Sequence, residues 1–372
     1  MRLLICAGGT GGGVYPALAV LQSLKDDNTY ETPLEDVLWV GGERGMEKEI
    51  VERNGIRFRG IPAAGLHGVG IKALPGNLLQ LVRGFFEARD ILRSFRPHAM
   101  LFTGGYVAAP VALAGRSVPS VLYVPDIEPG LALKSLARFA DAIAVTTEDT
   151  RKYFPMEKKV HVTGYPVRSN LKRWNRERAF HTLELSPQDL VLLVFGGSKG
   201  ARSINRALMK NLPDLLEDVQ IVHISGHLDW QEIKQGREAL SPELKERYRA
   251  FPYLHERMGA AYTAADLALS RAGASILGEF PSFGLPAVLV PYPHAWRYQK
   301  VNAQYLVDQG AAVIIEDERL TEQLLPTVRD LLEDREKREQ MSEKMSDLAR
   351  PRAAESIGLL IKEVGKEKGD RK

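Results

Sequence analysis

Between Leu269 and Ala303 the chain reads LSRAGASILGEFPSFGLPAVLVPYPHAWRYQKVNA, a stretch with the residue types to grip a nucleotide. Arg271-Ala272-Gly273-Ala274-Ser275 is a turn of small residues. It lies between an apolar run, Ala265–Leu269, and a helix expected to start at Ile276. The first amides of a helix lack internal acceptors, and the helix dipole favours negative charge there, so a strand, turn and helix of this kind can hold phosphate. Arg271 adds a cation. Glu279 follows roughly one to two turns into the helix, where a carboxylate can accept two sugar hydroxyls. Ala274, Ser275, Ile276, Leu277, Gly278 and Glu279 are thus candidates for binding a nucleoside diphosphate. The same residues also make an ordinary βα turn.

Two further glycine loops have the right context. Gly8-Gly9-Thr10-Gly11-Gly12-Gly13 follows a first apolar strand, and Gly196-Gly197-Ser198-Lys199-Gly200-Ala201-Arg202 follows a later one. Glycine lets a ligand approach the backbone closely, and Ser198 with the amides of the second loop suits a diphosphate. The first is not a clean GxGxxG, and Trp39-Val40-Gly41-Gly42 stands where a dinucleotide fold places its ribose-binding acid. A nicotinamide or flavin enzyme is therefore disfavoured. Arg168, in Gly164-Tyr165-Pro166-Val167-Arg168, is a cation at a hinge. His294, Gln299 and Asn302 are polar candidates for sugar hydroxyls. Thr103-Gly104-Gly105-Tyr106 and Pro125-Asp126-Ile127-Glu128-Pro129 both end strands. A sugar hydroxyl attacking an anomeric carbon needs a proton acceptor, and Asp126 is the candidate base. A helix-capping acid is the alternative for Asp126 and Glu128.

The elements that must position these residues alternate. Leu3–Ile5, Val37–Val40, Ala99–Phe102, Val121–Tyr123 and Ala142–Val145 read as buried parallel strands separated by helical stretches such as Pro16–Lys25 and Gly76–Phe95. The pattern restarts at Leu190–Phe195 and continues through Val219–His223, Asp266–Leu269 and Ala287–Val290. This predicts an α/β protein with two Rossmann-like doubly wound domains facing across a cleft. Their expected extents are 1–163 and 164–345, with a helix over 346–372 packing back toward the first domain. The chain has 372 residues, 44% of them hydrophobic, and a net charge of +3, which argues against general polyanion or nucleic-acid binding. Its one cysteine, Cys6, excludes an internal disulfide. No signal peptide is expected, and no run approaches the roughly 18 apolar residues a spanning helix needs. Within Gly65–Arg89, however, Ile71, Leu74, Leu78, Phe85 and Phe86 are interspersed with Lys72, Arg83 and Arg89. That pattern suits shallow insertion at an anionic lipid surface, and equally a helix burying its apolar face at home.

Taken together the motifs resemble the MurG family, the UDP-N-acetylglucosamine:undecaprenyl-diphospho-muramoyl-pentapeptide N-acetylglucosaminyltransferases. The resemblance rests on GGTGG at 8–12, TGGYVAAP at 103–110, GYPVR at 164–168, GGSKGAR at 196–202, ISG at 224–226, and RAGA at 271–274 followed by Glu279 and GLPAVLVP at 284–291. It implies a GT-B fold and an inverting transfer of N-acetylglucosamine from UDP-GlcNAc to lipid I, giving lipid II for peptidoglycan. No cofactor or metal is implied, and the enzyme would be peripheral on the anionic inner leaflet of the cell membrane. Donor contacts are implied at Thr10, Gly11 and Gly12, phosphate contacts at Arg168 and Ser198, ribose contacts at Glu279 and hexosamine contacts at Gln299. A backbone group near Leu254 or His255 would read the uracil. The departures fall mainly in the acceptor half. Gly13 stands where the family has His, Tyr123-Val124-Pro125-Asp126 where it has HEQN, and Tyr165 where it has Asn. In the donor half, Tyr298-Gln299 replaces a Gln–Gln pair. These leave two other readings open: a transferase for a different glycolipid or glycan acceptor, and a non-catalytic UDP-sugar-binding envelope protein.

Overall fold

A computed structural model describes residues 1–8, 11–26, 34–43, 45, 47–64, 74–197, 200–294 and 298–369. The chain forms two compact units, Met1–Arg168 with Pro351–Lys372, and Ser169–Arg350.

Unit 1 is built on a parallel sheet of seven strands: β1 (Arg2–Ala7), β2 (Asp36–Gly42), β3 (Arg57–Ile61), β4 (Ala99–Gly104), β5 (Ser120–Val124), β6 (Ala142–Val145) and β7 (Val160–Val162). Their order is β3-β2-β1-β4-β5-β6-β7. The central strands are continuous apolar runs because both faces of the sheet are covered by helices. β4, β5 and β6 are buried along their whole length. The helix Ala353–Gly369 belongs to this unit. It lies on the helix Gly11–Asp26 and on β4, β5 and β6, and buries Ile357, Leu360, Ile361 and Val364.

Unit 2 carries a parallel sheet of six strands: β8 (Val191–Phe195), β9 (Gln220–Ile224), β10 (Tyr248–Phe251), β11 (Leu267–Ser270), β12 (Ala287–Leu289) and β13 (Ala312–Ile314). The order is β10-β9-β8-β11-β12-β13.

The unit boundaries differ from the expected 163/164 and 345/346, for reasons of packing. Tyr165 meets Tyr123 edge to face with ring centroids 6.3 Å apart, and Arg168 stacks on Tyr15 at 4.1 Å, so the Gly164–Arg168 segment stays with unit 1. At the other boundary, Met345 is buried and Ser342 Oγ donates to Gly284 O at 2.7 Å, which keeps the helix Arg335–Asp347 in unit 2.

Candidate functional site

In unit 2 the strand order reverses between β8 and β11, and ligands of open α/β sheets bind beyond the carboxyl ends of strands at such a point. The loops after these two strands are the second glycine loop and the Arg271–Ser275 turn. A Cβ built at Gly197 or at Gly273 would meet nothing within 4 Å, so both loops face open space. The amides of Ile276, Leu277 and Gly278 donate back to the carbonyls of Gly273, Ala274 and Ser275 at 3.1, 3.1 and 3.2 Å. Among the described residues, the N–H groups of Gly273, Ala274 and Ser275 find no acceptor. The amides available to an anion are therefore those of the turn, one step earlier than the sequence suggests. Ile276, Leu277 and Gly278 are buried and hold the turn's shape.

Glu279 is 8% exposed and lies in the first turn of the helix Ile276–Phe283. Its Oε2 accepts a hydrogen bond from Tyr262 Oη at 2.7 Å. Sequence reading missed Tyr262. Its one signal is an aromatic with a polar tip in the small-residue run Gly259–Ala265. Gln299 Oε1 accepts from Tyr292 N at 2.9 Å, which ties the helix Tyr298–Asp308 to the loop after β12.

Two expectations are corrected here. Arg271 is not a cation held out beside phosphate. It is 8% exposed, and its Nη1 donates to Asp317 Oδ1 at 2.5 Å and to Val290 O at 3.1 Å, while Nη2 donates to Ser203 Oγ at 2.6 Å. It clamps the turn to the ends of neighbouring elements, because a buried guanidinium must have its donors met. Asn302 is fully buried and donates from Nδ2 to Ala272 O at 3.1 Å, so it supports the turn from behind. His294 is exposed and meets the ring of Tyr292 edge to face.

Ser198 lies outside the described residues, but the frame of its loop is clear. Gly200 has φ +77°, and a Cβ there would lie 2.3 Å from Ser225 O, so only glycine lets the loop rest on the Ile224-Ser225-Gly226 segment. Behind it runs a buried polar chain. Asn205 Nδ2 donates to Ser225 O at 2.9 Å and to Asp229 Oδ2 at 2.8 Å, and Arg202 Nε donates to Asp229 Oδ1 at 2.9 Å. With its amide nitrogen donating, Asn205 presents Oδ1 to His223 Nε2 at 3.0 Å. His223 therefore carries its proton on Nε2, and Nδ1 accepts from Tyr248 Oη at 2.6 Å.

Burial pushes the His223 pKa from 6.5 down to about 3. The unfolded chain then binds a proton that the fold refuses, so this group makes stability fall as pH drops from 6.5 toward 3. Thermal melting of His223→Gln should show a shallower loss over that range than the parent chain. The limiting difference in slope is about 1.4 kcal/mol per pH unit.

In unit 1 the order reverses between β1 and β4, and the first glycine loop and the Thr103–Tyr106 turn follow these strands. The loops touch. Thr103 Oγ1 donates to Gly13 O at 2.7 Å, and a Cβ at Gly105 would lie 2.9 Å from Gly8 O. Gly11 and Gly12 open the helix Gly11–Asp26, and Thr10 lies outside the described residues. Asp126 is half-buried beyond the end of β5, next to β4. Glu128 is 4% exposed, with Lys134 Nζ 3.7 Å from its Oε1. Arg168 stacks on the ring of Tyr15, in the helix that follows the first glycine loop, and among the described residues its buried Nε finds no hydrogen-bond partner.

A second acid was missed. Glu47 is 1% exposed; its Oε1 accepts Gly42 N at 2.8 Å and, among the described residues, its Oε2 finds no hydrogen-bond partner. A Cβ at Gly8 would lie 2.6 Å from its Oε1, so a carboxylate does reach the end of β2, folded back from the next helix. The sequence hides it because the acid stands five positions beyond the strand.

Two family models match the chain: the glycosyltransferase family 28 N-terminal domain over residues 3–145 and its C-terminal domain over 191–357. The UDP-N-acetylglucosamine--N-acetylmuramyl-(pentapeptide) pyrophosphoryl-undecaprenol N-acetylglucosamine transferase of Desulforamulus reducens is 36% identical over 372 residues, spanning 98% of this chain and 99% of that protein. The same-named transferase of Roseiflexus sp. is 38% identical, spanning 97% and 94%. The crystal structure of Acinetobacter baumannii MurG aligns with a TM-score of 0.75 at 28% identity, covering 97% of this chain and 99% of that one. The chain belongs to the MurG family. Its two parallel-sheet domains are those of the GT-B class. That fold extends to more distant proteins, such as a UDP-GlcNAc 2-epimerase from Neisseria meningitidis (TM-score 0.67, 16% identity).

The departures from the MurG pattern have local explanations. Where MurG proteins carry His after GGTGG, this chain has Gly13, which is buried; a Cβ there would sit 3.3 Å from Thr103 O. Where they have the His of HEQN, Tyr123 is 1% exposed and shares a 2.9 Å hydrogen bond with Thr146 Oγ1. Burial, reinforced by the negative charge of Asp126, outweighs that bond and holds the phenol well above its ordinary range. Tyr123 is thus a structural group, braced by Tyr165 at the position of the family Asn.

The helix Leu74–Phe95 carries most of the membrane-contact candidates. It packs inward through Gly84 and Ala88, with Gly84 so close to Pro62 that a Cβ would lie 2.2 Å from Pro62 O. Leu78 (56%), Leu79 (52%), Val82 (45%) and Phe86 (55%) are left exposed. Phe85 is half-buried against Phe86, so it is not part of the outward face as expected, whereas Leu79 and Val82 are. Ile71 and the side chain of Leu74 lie outside what is described.

Proposed function

We propose that this chain catalyses inverting transfer of N-acetylglucosamine from UDP-GlcNAc to undecaprenyl-diphospho-N-acetylmuramoyl-pentapeptide, giving lipid II. The observation that carries this reading is the arrangement at the β8/β11 edge. Three unengaged amides (Gly273, Ala274, Ser275) stand beside open space, with a buried carboxylate following in the next helix. Amides meet the negative charge that develops on the leaving diphosphate, and they do so without reorganising. Glu279 takes the ribose hydroxyls, and a backbone group at Leu254 or His255 reads the uracil. Gln299, with its carbonyl engaged by Tyr292 N, offers its amide to the hexosamine. Thr10, Gly11, Gly12, Arg168 and Ser198 complete the donor contacts. Inversion requires one in-line displacement, so the protein has to place two sugars and accept one proton. Asp126 is the proposed acceptor of that proton.

The test is turnover. Purified protein given UDP-GlcNAc and lipid I should release UDP and form lipid II in equal amounts. UDP release that needs another glycolipid would move the assignment to a different acceptor. Tight UDP binding with no transfer to any acceptor would end the enzymatic reading.

The acceptor's lipid chain calls for a membrane surface, and no helix among the described residues is long and apolar enough to cross one. We propose that the outward face of the helix Leu74–Phe95 rests on the anionic inner leaflet. Its support is an exposed apolar stripe flanked by Arg83 and Arg89, left outside while Ala88, Ile91, Leu92 and Phe95 of the same helix pack on the core. Replacing Leu79, Val82 and Phe86 together by Ser should reduce sedimentation with anionic vesicles while thermal melting stays unchanged. Undiminished sedimentation would remove this helix from the contact.

A further inference from the structure

We infer that Tyr262 is a positioning residue that makes the donor site select ribose over deoxyribose, an inference that rests on Glu279 binding the ribose. Four observations lead there. Tyr262 is 3% exposed and Glu279 8%, so their 2.7 Å hydrogen bond is shielded from water. The phenol donates to Oε2, which fixes the plane of the carboxylate. The ring cannot turn away, because Phe195, Phe280 and Phe283 pack on it with centroids 6.0, 6.1 and 5.2 Å distant. Phe195 ends β8 and Phe280 follows Glu279, so the cluster joins the two elements that flank the switch point.

The physical consequence is selectivity. A carboxylate with free rotation can meet a nucleotide in several ways, and each costs entropy to freeze on binding. A carboxylate locked by a buried phenol presents one geometry. It rewards a ligand with hydroxyls at that place, and a ligand lacking one forgoes that hydrogen bond. Sites built to hydrogen-bond a hydroxyl reject the analogue without it for this reason.

The experiment measures binding of UDP and of 2′-deoxy-UDP by calorimetry to the full chain, to Tyr262→Phe and to Glu279→Ala. The parent chain should prefer UDP. Tyr262→Phe keeps the ring and should lose about 13–160-fold in affinity for UDP, the range for a hydrogen bond to a charged group, with 2′-deoxy-UDP little changed. Glu279→Ala should abolish the preference. If Glu279→Ala retains the parent preference, the ribose assignment fails and the inference with it. If Glu279→Ala loses the preference while Tyr262→Phe keeps it, the ribose assignment stands and the role given to Tyr262 is wrong. Equal weakening of both ligands in Tyr262→Phe would reduce Tyr262 to packing and overturn the inference as well.

Discussion

Asp126→Asn should lower kcat with lipid I by about 10²–10⁴-fold, the range for loss of a general base, with KM for UDP-GlcNAc unchanged. The expectation follows from what surrounds Asp126. Gly13 offers no side chain where the family carries a histidine. Tyr123 is locked to Thr146 and holds its proton far beyond neutral pH. Glu128 is buried, with the ammonium of Lys134 3.7 Å from its Oε1. Asp126 is half-buried at the carboxyl edge of β5, next to the switch point of unit 1. Asparagine keeps its shape and removes its basicity, so steady-state kinetics read the proton step and not the fold. A loss of less than tenfold in kcat would place the base elsewhere.

Arg271→Ala should destabilise unit 2 by about 3–5 kcal/mol, the usual result of removing one partner from a buried, hydrogen-bonded ion pair. The guanidinium joins Asp317, Ser203 and the carbonyl of Val290, and its loss strands the Asp317 carboxylate and the Ser203–Asp317 bond of 2.7 Å. Lysine should not rescue it, since a single ammonium cannot reach along the fork that guanidinium fills. Urea unfolding checks this directly. If Arg271→Ala instead unfolds like the parent chain and loses affinity for UDP, the residue faces the ligand and the clamp described here is not its role.

The nine strands expected from apolar runs are all present, and the four not anticipated are β3, β7, β10 and β13, the outer strands of the two sheets. An outer strand is covered less completely and tolerates Arg57 and Arg59 in β3, His161 in β7 or Arg249 in β10, so these three do not read as continuous apolar runs, whereas β13 is apolar but only three residues long. The glycine loops were equally readable, because close approach of backbone leaves glycine as its mark. Arg271 was misread because a cation in a phosphate-type turn looks the same whether it faces a ligand or a carboxylate. The helix Leu74–Phe95 was ambiguous because apolar periodicity says that one face is apolar, not that the face is covered.

What the sequence determined unaided is the class of protein: two successive sets of buried parallel strands, each opened by a glycine loop, with motifs in the order of one transferase family. Those features are local, since burial on both faces and access to a ligand constrain residue type at each position. Tertiary structure alone decided which groups answer one another. Tyr262 meets Glu279 across 17 positions and Arg271 meets Asp317 across 46. No periodicity spans such gaps, and a buried polar atom finds its partner only once the strand order has brought distant turns to one edge of the sheet.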